Sequence, residues 1–168
     1  MNRVLVPVDG SESSLGAVRS AIASVRAGTV ESVCLVNVQP PLPRYVSRWI
    51  ARDDRDGFRL DRGRRELRRA RGLLDDAGVS YTSEVVIGEE AVAIAAEAAR
   101  LQCTEIVIGV SRANVVDRFL DNGLQSRLLD ATAVPLRVVP GRSRRAMKRI
   151  AIPIGLGLGM GLVLFISE

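Results

Sequence analysis

Five short runs of β-branched and aliphatic residues recur along the first 140 positions: Arg3–Val8, Ser32–Val38, Ser80–Ile87, Glu105–Val110 and Pro135–Val139. Segments such as VCLVNV and EIVIGV carry apolar side chains at successive positions rather than alternate ones. A strand covered on both faces has that pattern, and it predicts a parallel sheet. Between the runs lie longer stretches with helical spacing. Ser11–Ala27 opens on a serine cap and closes before Gly28, and about Asp53–Ala77 closes before Gly78. Glu89–Arg100 opens on two acids, which suit the positive end of a helix dipole, and Asn122–Ala131 precedes the last strand. Strand and helix in alternation predict an α/β fold: an open, twisted, mainly parallel five-stranded sheet with helices on both faces, Rossmann-like. Ligands of such sheets sit at the carboxyl ends of the strands, here after Val8, Val38 and Val110.

Composition narrows the chemistry. The chain has 168 residues and no histidine, which removes the usual general base, the commonest metal ligand and the Ser-His and Cys-His dyads. The two cysteines, Cys34 and Cys103, form no Cys-x-x-Cys, so a zinc site is not expected; both fall in strand-like runs and read as buried free thiols of a reducing compartment. The opening MNRVLVPVDG enters a strand pattern directly, without the architecture of a signal peptide. The net charge of +5 is unevenly spread. Residues 41–72 hold eleven arginines against five acids and RSRRAMKR at 142–149 adds five cations, so the rest is acidic. Arg64, Arg65, Arg68, Arg69 and Arg71 share a helix with Leu60, Leu67, Leu73 and Leu74 on one face. They read as a solvated helix face with Asp61 and Glu66 as ion partners. No aromatic interleaving or recognition-helix motif points to nucleic acid.

The first strand ends in VPVDGSESS, where Asp9 precedes Gly10 and the free N–H groups of a helix start. Asp9 is placed to accept hydrogen bonds from an adenine or ribose, or simply to cap the turn. The turn lacks the acidic pair of a response-regulator receiver, the Ser-Gly-Gly-x-Asp-Ser of an ATP pyrophosphatase and the Walker loop. VLVPVDGSESS, LVNVQPP and IVIGVSRANVVDRFLDNGLQSRLLDATAVPLRVVP together resemble the universal stress protein family over residues 1–140. The resemblance implies an adenosine site at Pro7, Val8, Asp9 and Val38. It also implies a phosphate loop of the form Gly-x-x-Gly, nine residues, Gly-Ser or Gly-Thr. Aligned on Pro135, Gly109 matches the first glycine; Arg112 replaces the second, Asn122 the third, and Gly123 stands at the hydroxyl position. A shift of one residue puts Gly123 on the third glycine and Leu124 in place of the hydroxyl. Glycines in such a loop let backbone N–H groups close on phosphates. The expected cofactor is therefore none with certainty: ATP or AMP binding is weakened by loss of these glycines, with Arg112 either supplying a guanidinium or filling the cradle. No nucleophile–base pair is visible, so a non-enzymatic binding or regulatory role is expected. The family also implies a homodimer through the last strand, 135–139, which as an apolar edge would want a partner.

Beyond the domain come a basic linker, 141–149, and an apolar tail, 150–168. Ile150–Ile166 is 17 residues without a charge, about 25 Å as a helix, near the lower limit for a membrane span. The cations before it predict a domain on the cytoplasmic side of the membrane. Gly155/Gly159 and Gly157/Gly161 form two small-residue pairs suited to close helix neighbours. A second pattern competes: large and small residues alternate from Ile150 to Leu164, as in an extended segment docked on a partner. The leading expectation is a regulatory protein tethered by this tail to the membrane or to a transporter or channel. The alternative is a soluble dimeric ATP or AMP sensor whose tail serves oligomerisation.

Overall fold

The computed structural model describes residues 2–41, 52–110 and 123–140, with the side chains of 52–55 outside the description. Five strands alternate with four helices: β1 (Arg3–Pro7), α1 (Glu12–Arg26), β2 (Ser32–Gln39), α2 (Arg52–Ala77), β3 (Tyr81–Ile87), α3 (Glu90–Arg100), β4 (Glu105–Val110), α4 (Leu124–Ala131) and β5 (Leu136–Pro140). The sheet order is β3-β2-β1-β4-β5, with every pairing parallel. The chain winds outward one way from β1 through β2 to β3, then returns to β4 on the other side of β1. The strand order reverses between β1 and β4, which leaves a crevice at their carboxyl ends.

Successive strand residues face opposite sides of the sheet, and two cores follow. Val4, Val6, Val33 and Leu35 pack with Leu15, Val18, Leu67 and Leu74 under α1 and α2. Leu5, Cys34, Val36, Ile106 and Ile108 pack with Ala91, Ile94, Ala98 and Leu128 under α3 and α4. The three central strands are buried on both faces, while the edge strands β3 and β5 are only half-buried. Both cysteines are free and buried. Cys103, expected in a strand, instead lies in the turn after α3, two residues before β4 begins. That turn folds back by a hydrogen bond from its amide to the Ala98 carbonyl, so an apolar residue is buried there without joining the ladder.

The arginine-rich helix α2 turns Arg62, Arg64, Arg65, Arg68 and Arg69 to solvent, while Arg59 and Arg71 are partly buried. Arg62 pairs with Glu66 and Arg64 with Asp61, both at 3.0 Å, and Arg69 reaches Glu12 of α1 at 2.6 Å. Its inner face carries Gly63, where a side chain would fall 2.6 Å from Asn37 Oδ1 and overlap Val85. This contact lets a buried polar cluster form. Asn37 Nδ2 donates to the Val8 carbonyl and to Glu66 Oε2, both at 2.7 Å; Gln39 Nε2 donates to Asn37 Oδ1 at 2.7 Å and to Glu66 Oε2 at 3.1 Å. Asn37 and Gln39 are buried, and the cluster satisfies their donors. It also ties β2 and α2 to the end of β1.

Candidate functional site

The crevice between β1 and β4 is an open cleft lined by Pro7, Val8 and Asp9 from the end of β1, Val36 and Val38 from β2, Ile108 and Gly109 from β4, Ser14 from α1, Glu90 and Ile94 from α3, and Leu124 from α4. Five of the residues singled out in the sequence therefore meet here: Pro7, Val8, Asp9, Val38 and Gly109. Gly123 is the N-cap of α4, next to the lining residue Leu124. Arg112 and Asn122 lie outside the described residues, as does the tail.

Each wall has a local cause. Val8 prolongs the pairing of β1 by donating to the Val36 carbonyl at 2.8 Å. Gly10 then takes a left-handed φ of +80°, a conformation that favours glycine and reverses the chain into α1. Ser11 caps α1, its hydroxyl accepting from the Ser14 amide at 3.1 Å. Asp9 Oδ1 accepts from the Ser11 amide at 3.0 Å. Burial opposes the charge on Asp9, but hydrogen bonds from Ser11, then Ser14, outweigh it and hold its carboxyl below the ordinary value. Capping by the serines needs no nucleophile to explain them, and Asp9 keeps a carboxylate at the mouth of the cleft.

Gly109 has a packing role that its motif position does not show. A methyl built there would fall on the Ser13 carbonyl. Its lack of a side chain is what lets the first turn of α1 close against β4. Gly123, by contrast, has an ordinary φ of −69° and open space where a side chain would stand. Neither its conformation nor its surroundings require glycine.

The sequence reading missed Ser14, Val36, Glu90, Ile94, Ile108 and Leu124. Val36 and Ile108 carry a signal, since each stands two residues from a position placed at the strand ends and so shares its face. Glu90 carries none beyond a helix start. It is half-buried in the cleft wall, and desolvation raises its pKa; Arg127 opposes the shift, while Asp9 and Glu89 add to it. Glu89 caps α3, accepting from the Val92 amide at 2.9 Å, a bond that lowers its own pKa. Arg127 of α4 spans both carboxylates, 2.6 Å from Glu89 Oε1 and 3.5 Å from Glu90 Oε2. The cleft thus has apolar walls for a flat ring, two carboxylates at its rim, and no cation among its described lining residues. No group of three metal-ligating side chains exists among the described residues.

The sequence profile of the universal stress protein family matches residues 1–140. Several solved structures share the fold. A universal stress protein from Burkholderia pseudomallei is similar at 23% identity, with a TM-score of 0.63 over 83% of this chain and 96% of that one. A universal stress family protein from Arabidopsis thaliana with AMP bound is 17% identical, with a TM-score of 0.60 over 85% and 94%. One from Archaeoglobus fulgidus in complex with dAMP is 19% identical, with a TM-score of 0.58 over 82% and 96%. A search of curated proteins gave no match.

Proposed function

Because the chain belongs to the universal stress protein family, we propose that it is a non-enzymatic regulatory module that senses an adenine nucleotide or nucleoside in the cleft between β1 and β4. The observation that carries the reading is the convergence of Pro7, Val8, Asp9, Val38 and Gly109 on that cleft. Structural neighbours described as AMP and dAMP complexes support it. Apolar side chains from β1, β2 and β4 sandwich a base, and Asp9 accepts from its exocyclic amine or from a ribose hydroxyl. The chain's glycine pattern departs from the phosphate-binding form at Arg112 and Asn122, so phosphates contribute little to affinity. Calorimetry with adenosine, AMP and ATP tests this: micromolar binding, lost by at least about tenfold on Asp9→Ala, which removes a charge-assisted acceptor. Absence of binding by all three compounds would refute the reading.

A second reading concerns location and rests on the uncharged stretch Ile150–Ile166 behind five cations. In it the tail tethers the domain to the inner face of the cytoplasmic membrane, or to a transporter or channel there, and the module acts as a regulatory subunit. Two copies pair through β5, an edge strand with one free side, so two tails leave together. Among the described residues no helix is long and apolar enough to cross a membrane, and the tail lies outside them. Cell fractionation decides: the full chain pellets with membranes and a chain ending at residue 149 does not. Equal solubility of the two would end this reading.

A further inference from the structure

The polar chemistry of the cleft is one-sided. Asp9 and Glu90 stand on its wall, and no lysine or arginine does among the described residues. One described cation, Arg127, stands near the rim and is tied to its carboxylates. Arg127 lies three residues beyond the lining residue Leu124 on α4, on the same face of that helix. Its guanidinium is nonetheless turned to the start of α3, where it takes Glu89 and Glu90 together. The two carboxylates offset the charge of the guanidinium, which weakens its pull on a third anion. The two glutamates are themselves held in place, because Glu89 is the N-cap and Glu90 the first residue of α3, beside Gly88, whose amide donates to the Gln39 carbonyl.

We propose that Glu89 and Glu90 sequester Arg127 and, with Asp9, make the cleft select adenosine compounds with few phosphates over those with many. The inference rests on the reading of the cleft as an adenosine site. It goes beyond that reading by assigning the discrimination to three side chains that no motif marks. Adenosine is uncharged and ATP carries the largest charge of the series. Among the described residues the rim presents two carboxylates, Asp9 and Glu90, with Glu89 next to them on Arg127, so each added phosphate meets repulsion that adenosine does not feel. A ligand able to capture Arg127 would first have to break two ion pairs. Glu90 adds a second acceptor to that of Asp9 in the same cleft, which suits a ligand with more than one donor, such as an adenine amine and ribose hydroxyls.

The test is calorimetry on the full chain with adenosine and ATP, reading the ratio of their affinities. Four proteins are compared: the parent, Glu90→Gln, the Glu89→Gln/Glu90→Gln pair, and that pair with Arg127→Gln. Neutralising the glutamates removes repulsion and frees the guanidinium, so the ratio moves toward ATP by about fivefold or more in the pair. Adding Arg127→Gln reverses most of that gain. A purely structural effect of the glutamates would shift both ligands alike and leave the ratio where it began. If adenosine binds and the ratio stays within about twofold across the series, a range that corresponds to well under one pK unit of electrostatic change, the inference is wrong while the adenosine site stands. If no adenosine compound binds any of the four, the adenosine site falls and the inference with it.

Discussion

Gly109 carries a packing constraint that its motif position does not show. Its family place suggests phosphate binding, yet the Ser13 carbonyl occupies the space a side chain would need. Gly109→Ala should therefore destabilise the domain by about 1–3 kcal/mol in urea unfolding, as overpacking does. Gly123→Ala, with open space and φ of −69°, should cost less, about 0.5–1 kcal/mol, because alanine is a poorer N-cap than glycine. The two rim carboxylates respond to pH with opposite signs. Glu90 has a folded pKa raised above 4.5. The folded state thus binds its proton more tightly, so this group adds stability as pH falls through its folded pKa. Asp9 has a folded pKa below 3.8, so its contribution is present above that value and is lost as pH falls further. Both groups are about half-exposed, and each effect should stay near 0.5 kcal/mol or less after solvent screening. An acid titration of Glu90→Gln followed by chemical denaturation should lack the first gain and keep the second loss.

At the scale of the element, the anchoring of α2 is the feature to test. Glu66 receives donors from both Asn37 and Gln39, and Asn37 in turn donates to the Val8 carbonyl. Removing its carboxylate leaves buried amide donors without an acceptor, so Glu66→Ala should cost about 1–3 kcal/mol. Amide exchange should then rise at Val8, whose strand end the cluster braces; unchanged protection there would show that the cluster holds α2 alone. The helices themselves were legible. Ser11, Gly28 and Gly78 punctuate them, and the leucine spacing in α2 gives its buried face, because caps and apolar stripes act within a few residues. The polar cluster was not legible. Asn37 and Gln39 stand in an apolar run and Glu66 among arginines, 27 and more positions away. Their pairing depends on Gly63 admitting α2 close to β2, which is a packing fact.

For the whole molecule, the free side of β5 is the consequential surface. If β5 pairs with its copy, Val138→Pro should shift the chain toward monomer in sedimentation, since the register with β4 turns the Val138 N–H to the outer edge and proline removes that donor. A monomeric parent would remove the β5 dimer from the account. The doubly wound α/β class follows from the sequence alone, because continuous apolar runs and helical spacing alternate and physics allows few ways to bury both. The sequence likewise determined that Pro7, Val8, Asp9 and Val38 end strands, and strand ends are where such sheets bind. Only the tertiary structure decided that β1 and β4 lie side by side, which brings Gly109 against α1 and opens the cleft. It also decided that Glu90 and Asp9 line one cleft and that Arg127 is held by Glu89 and Glu90. Those contacts join residues 37 to 101 positions apart, and nothing local in the chain encodes a long-range charge pattern.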